Sequence, residues 1–407
     1  MHKKYMENNL YYSITSTLLL LSFYAYQYLF NWPLLKISGI LGSSRFIDLV
    51  AIQDFSRCVN EYGMAVYEIS DKCSGYQYSL GVLYLFDYTK FSSLSSNAAA
   101  FLLEIPLLFI MISLITLSFN KNIKIGVFAV VAALAPGNWL LLERGNLDLI
   151  MVELLAIAAL TFGKKSEPLG YLMLVISVFT KFYTAPLLIL YVIMGKRTIR
   201  KNLYLPVTIV VVLASLVQIK NVAKFPSTWY VSFGSGSIGH WANLFLEYQV
   251  DSNNRIPEKV GLVIGLLIAC ISIAIHWKAL KNFEVSQANF VSTKANVILF
   301  FGTTFIACYF VGMNYDYRMI FPIVTSTLLL IVEKNLPYRK YFVSIAIGSF
   351  YFSSFFYGQS GMMVVYQQLI GDIFIGLLVS YLCVYFLRKY RSPIMEIVSK
   401  CKNLLLK

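Results

Sequence analysis

Apolar runs about as long as a bilayer is thick recur from one end of this chain to the other, and they leave few folds open. Short segments rich in lysine, arginine, glycine and proline separate them. With 58% of residues hydrophobic and 13% charged, there is too little polar surface to cover such runs in water. Lipid is the solvent that suits them, and there only helices and closed barrels satisfy the backbone. Barrel strands would read as alternating segments of roughly ten residues, a pattern absent here. The expectation is an all-α polytopic bundle, with residues 1–407 forming one integral membrane domain.

Twelve spans are expected, at about 9–30, 98–119, 124–141, 147–162, 168–180, 184–195, 203–219, 260–277, 296–312, 318–333, 341–357 and 367–387. The first is too long for a signal-peptide core and lacks a small-residue cleavage site, so it reads as a retained span. Residues 168–195 decide the count. As one helix, these 28 residues would be ~42 Å long against a core of ~30 Å. Lys181 would then lie at mid-membrane, at a cost of at least ~2.5–3.5 kcal/mol. Two short helices turning at Lys181 to Pro186 remove both problems, and proline suits the first turn of the returning helix.

With that turn, the N-terminus, 120–124, 163–167, 196–202, 278–295, 334–340 and the C-terminal tail share one side, and they hold 22 of the 34 Lys and Arg. The positive-inside rule makes that side cytoplasmic, with both termini inside. The net charge of +14 then belongs to basic loops facing anionic lipid, and no nucleic-acid partner is implied. The chain has no Asn-x-Ser/Thr sequon, which favours a bacterial plasma membrane over the endoplasmic reticulum.

The polar residues that need explaining fall on the extracytoplasmic side. Two long segments lie there, 31–97 and 220–259. The first contains Arg45 to Phe55, whose apolar residues and few charges suggest a helix lying at the interface. Asp48 sits among apolar neighbours in it, and Asp54 stands three residues before Arg57, a helical pairing distance. Cys58 and Cys73 share this segment, so a disulfide is open to them in an oxidising compartment. The second long segment holds Trp229, Tyr230, three glycines, His240 and Trp241, a mix suited to stacking on sugar faces or resting at the membrane surface. Between them come Glu143-Arg144-Gly145-Asn146-Leu147-Asp148 and Thr180-Lys181-Phe182-Tyr183, with Asn314-Tyr315-Asp316-Tyr317-Arg318 later. No Asp-x-Asp pattern or His/carboxylate cluster accompanies them, so neither a metal nor a cofactor is expected.

Taken as a set, these segments resemble the GT-C superfamily of membrane glycosyltransferases, which use polyprenyl-phosphate sugars. Phe46-Ile47-Asp48-Leu49 with Tyr62-Gly63, Tyr67 and Gly75-Tyr76-Gln77-Tyr78 resembles that family's first-loop pattern. Arg144-Gly145-Asn146 and Lys181-Phe182-Tyr183-x-x-Pro186 resemble segments of the GPI mannosyltransferase catalytic subunit and of glycosyltransferase family 87. Two departures stand out: Tyr78-Ser79-Leu80 replaces the usual Tyr-Pro-Pro, and two residues rather than one separate Tyr183 from Pro186. The resemblance implies inverting transfer of a hexose, with mannose the suggested sugar. The donor would be a polyprenyl-phosphate sugar, and the acceptor a lipid-linked glycan or glycolipid.

Such transfer needs a base for the acceptor hydroxyl and cations for the leaving phosphate. Asp48 is the candidate base; its other reading is a helix cap or interfacial ion pair. Asp54 is either a second acid or a solvated partner of Arg57. Arg144, Lys181 and Arg318 are the phosphate candidates, each set against simple snorkelling to the interface. Asn146 and Asp148 either orient Arg144 or cap the fourth span. Tyr183 either bonds the phosphate or belongs to the aromatic belt, and His240 either touches phosphate or sugar or does neither. Two other classes fit a polytopic chain. An O-antigen-type polymerase or ligase would want arginines in its late loops, yet 220–259 holds only Arg255. A transporter would want internal repeats and mid-membrane polar residues, and no repeat is present.

Overall fold

The computed structural model describes residues 2–30, 46–62, 82, 86–194, 203–214, 232–233, 258–280, 292–310, 314–333, 335–352 and 362–390. They are helical apart from turns and one short ladder. The helices are α1 (His2–Phe30), α2 (Ile47–Tyr62), α3 (Ser96–Lys121), α4 (Ile123–Ala133), α5 (Pro136–Arg144), α6 (Asp148–Thr161), α7 (Glu167–Thr180) and α8 (Ala185–Met194). After them come α9 (Leu203–Ala214), α10 (Glu258–Ala279), α11 (Thr293–Phe310), α12 (Ile320–Val332), α13 (Arg339–Phe352) and α14 (Met362–Lys389). Two-residue strands β1 (Ser232–Phe233) and β2 (Asn314–Tyr315) pair antiparallel, Ser232 opposite Tyr315.

Each expected span contains a helix. Among the described residues three helices, α3, α11 and α14, are long and apolar enough to cross a membrane alone, and the bent pair α4–α5, taken as one span, makes a fourth. That pair corrects the uninterrupted span expected at 124–141: the axis turns by 48° at a break before Pro136. Proline lacks an N–H and disfavours helix in the residue before it, so it starts a new helix here.

Burial follows the pattern of a protein in lipid. On α10, Val263, Leu267, Ile271 and Ile275 are exposed at four-residue spacing, an apolar stripe facing outward. By contrast α12 is buried from Ile320 to Ile331 and forms the centre. Single polar contacts stitch the helices: Ser13 Oγ donates to Thr116 Oγ1 at 3.1 Å between α1 and α3. Asn296 Nδ2 donates to the Ala159 carbonyl at 3.3 Å between α11 and α6. Asn122 alone joins α3 to α4, its side chain accepting from Lys124 N at 2.8 Å. A Cβ on Gly126 would fall 2.3 Å from the Phe119 ring, so that tight hairpin admits only glycine there.

The turn at Lys181 is a true reversal. A 3-10 turn (Phe182–Thr184) joins α7 to α8, and the Tyr191 hydroxyl reaches back to donate to the Glu167 carbonyl at 2.7 Å. The far ends of the two helices therefore meet. At the end of α12 remote from Arg318, Lys389 Nζ and the Tyr385 hydroxyl both donate to Glu333 Oε1, at 2.8 and 2.6 Å. Charged groups thus sit at both ends of α12, some 20 Å apart by helix rise.

Candidate functional site

Four separate parts of the chain bring their polar residues to one place. The local structure explains how. Helix α5 ends in a Schellman-type cap: Gly145 N–H donates to the Leu142 carbonyl at 3.1 Å and Asn146 N–H to the Leu141 carbonyl at 3.5 Å. Gly145 takes φ +57, a left-handed conformation that glycine adopts without strain. Its bare Cα lies under α2, where a Cβ would be 3.2 Å from Leu49 Cβ and 3.3 Å from Phe46 Cβ. The Arg-Gly-Asn sequence is therefore a helix terminus that presents Arg144 and Asn146 on either side of a close contact.

Helix α2 lies across that terminus. It buries Leu49, Ile52, Phe55 and Gln53, while Asp54 and Arg57 face outward. Gln53 fixes its position, donating to the carbonyls of Phe91 and Leu94 at 3.3 and 3.1 Å and accepting from Ser96 Oγ at 2.8 Å. The expected interfacial helix exists, but its apolar face rests on protein. Asp48, in its first turn, meets Arg144: Nε lies 3.1 Å from Oδ1 and 3.0 Å from Oδ2, and Nη2 also donates to Oδ1. Asn146 Nδ2 donates to Asp48 Oδ2.

Asn146 connects this pair to a second one. Its Oδ1 accepts from Lys181 Nζ at 2.8 Å and from Asp148 N–H at 3.0 Å. Asp148, fully buried at the start of α6, takes Lys181 Nζ at 2.9 Å and Arg318 Nε at 3.3 Å. The Tyr183 hydroxyl donates to the same carboxylate, and the Arg318 guanidinium lies 4.7 Å from the centre of the Tyr183 ring. Lys181 arrives from the α7–α8 turn, and Arg318 from the 3-10 turn Asp316–Met319 between β2 and α12. Two carboxylates and three cations thus form one hydrogen-bonded network. Buried charges need such pairing, because each isolated one would cost several kcal/mol.

Seven of the nine expected site residues meet here: Asp48, Arg144, Asn146, Asp148, Lys181, Tyr183 and Arg318. Asp54 does not. It is turned to the outer side of α2 and forms an exposed ion pair with Arg57 at 3.2 Å, with side chains 53% and 67% accessible. A role for it as a second acid of this cluster is corrected by that geometry. His240 lies outside the described residues, as does Cys73. Cys58 is disulfide-bonded, whereas Cys270, Cys308 and Cys383 are not. The snorkelling alternative does not describe Lys181 or Arg318, whose side chains are only 8% and 13% accessible and point into the network. Gln53 was the residue not singled out from sequence; a lone amide on the apolar face of α2 is the signal for it.

Among the described residues no group of three or more His, Cys, Asp or Glu could hold a metal ion. No protein-family model, curated protein or solved structure matches the chain.

Proposed function

We propose that this chain is a membrane glycosyltransferase of GT-C type, moving a hexose from a polyprenyl-phosphate sugar to a lipid-linked glycan or glycolipid. The observation that carries the reading is the convergence of Arg144, Lys181 and Arg318 with Asp48, from remote parts of the chain, at one end of an apolar helical bundle. Cations held in place beforehand favour a reaction in which negative charge grows on a leaving phosphate. A carboxylate beside them supplies the base for an acceptor hydroxyl. Arg144 is the most accessible of the three cations, at 20% of its side chain, and Asp48 is 11% accessible, so these two form the mouth of the site.

In this reading the chain spans the membrane twelve times with both termini in the cytoplasm, and the network faces outward across a bacterial plasma membrane. The disulfide at Cys58 suits an oxidising outer face. Asp48 takes the acceptor proton as the sugar inverts. Asp148, with three donors on its carboxylate, holds Lys181 and Arg318 in position instead of reacting.

The test is transfer from radiolabelled polyprenyl-phosphate hexoses to a lipid extract by purified wild type and Asp48→Asn. Wild-type transfer that falls at least about 100-fold in a folded variant supports the reading. No transfer with any donor refutes it.

A further inference from the structure

The contacts on Asp48 leave a base little room to act. A carboxylate offers about four lone-pair sites. Arg144 Nε approaches both oxygens, at 3.1 and 3.0 Å, Arg144 Nη2 donates to Oδ1, and Asn146 Nδ2 donates to Oδ2. Three N–H groups therefore cover both oxygens, the Nε–H shared between them. A hydroxyl proton arriving at Asp48 competes with these donors.

The two partners differ in exposure. Asn146 is wholly buried and pinned by Lys181 and by the Asp148 N–H, at 2.8 and 3.0 Å. Arg144 ends a nine-residue helix and is 20% accessible. It also carries the planar fork that matches two phosphate oxygens. An anion entering the site therefore competes first for Arg144.

We infer that Arg144 is a latch on Asp48, opened by the phosphate of the donor. The inference rests on the glycosyltransferase reading and adds an order to it. Phosphate oxygens take Nε and Nη2 of Arg144, leaving Asp48 held only by Asn146. The freed carboxylate lone pairs accept the acceptor O–H. The acceptor oxygen then bonds to the anomeric carbon as the bond from that carbon to the phosphate oxygen breaks. The electron pair leaves with the polyprenyl phosphate, and the hydroxyl proton goes to Asp48. When the phosphate departs, Arg144 returns and Asp48 releases the proton to water. The donor binds first, and the acceptor gains its base only afterwards.

The experiment uses farnesyl phosphate, a short polyprenyl phosphate, with the full-length protein in detergent. Calorimetric titration reads binding, and infrared difference spectroscopy reads the carboxylate stretch of Asp48, assigned by its absence in Asp48→Asn. The expected result is binding together with a shift of the Asp48 band, neither of them given by farnesol. Arg144→Gln should show the shifted band before ligand is added and no further shift afterwards; the wild-type titration decides alone if that variant does not fold. Binding without a band shift overturns the latch and leaves the enzyme class standing. An equal shift with farnesol overturns phosphate as the opener. Failure of farnesyl phosphate to bind overturns both the latch and the donor class on which it rests.

Discussion

Asp148→Asn tests whether the buried network holds the fold as its geometry requires. The substitution keeps the side-chain shape and removes one negative charge. Lys181 and Arg318, 8% and 13% accessible, then lose the carboxylate that now lies 2.9 and 3.3 Å away. Breaking a buried pair from one side costs about 3–5 kcal/mol, chiefly because the remaining charge is left in a poor solvent. At about 1.4 kcal/mol per tenfold, that is two to four decades in the unfolded fraction. Extending the size trend of thermal midpoints to this length gives roughly 1–2 °C per kcal/mol, so the midpoint should fall by about 3–10 °C. Cys308 is a convenient reporter, being a fully buried cysteine on α11 that is not in a disulfide. A thiol-reactive dye that fluoresces on coupling follows its exposure on heating in detergent. The double variant Asp148→Asn with Lys181→Met should recover part of the loss, since one of the two stranded cations is gone. A midpoint for Asp148→Asn within about 1 °C of wild type would sink the claim that Asp148 anchors both cations.

Asp54→Asn should leave both transfer and the thermal midpoint unchanged, since its pair with Arg57 is exposed and worth at most about 1 kcal/mol; a large loss of transfer would return Asp54 to the site. Gly145→Ala should cost about 1–2 kcal/mol for the left-handed backbone alone. It should also reduce transfer, because the new Cβ presses on Phe46 and Leu49 and lifts α2, with Asp48, away from Arg144. Thermal unfolding and the transfer assay check both effects, and full activity in a stable variant would contradict the second.

How much of this was legible depended on whether the cause was local. The reversal at Lys181 could be read because helix length and bilayer thickness conflict within one segment. The helix terminus at Arg144-Gly145-Asn146 carries its signal in the glycine. The break before Pro136 carries a signal as plain, but the surrounding apolar run hid it. The partners of the clustered charges were not legible. Arg318 reaches Asp148 across 170 positions, and Arg144 reaches Asp48 across 96. Nothing in the spacing of Arg144 tells that it lies against the candidate base, because the close fit of α2 on Gly145 is set by packing. By sequence Asp48 is the candidate base and Asp54 either a second acid or a solvated partner of Arg57; six residues of helical rotation put one in the cluster and the other in solvent.

The hairpin of α7 and α8 has a further consequence for the lipid around it. Fourteen residues of helix rise about 21 Å and ten rise about 15 Å, against a hydrocarbon thickness near 30 Å. On the proposed topology, with its open end at the inner boundary, the tip carrying Lys181 would stop roughly 9 Å short of the opposite headgroups. The bilayer beside it would thin, or water would fill the dip. A phosphate carried on a lipid would then descend into a hollow, its chain still among the acyl tails, to meet cations lying below the plane of its neighbours.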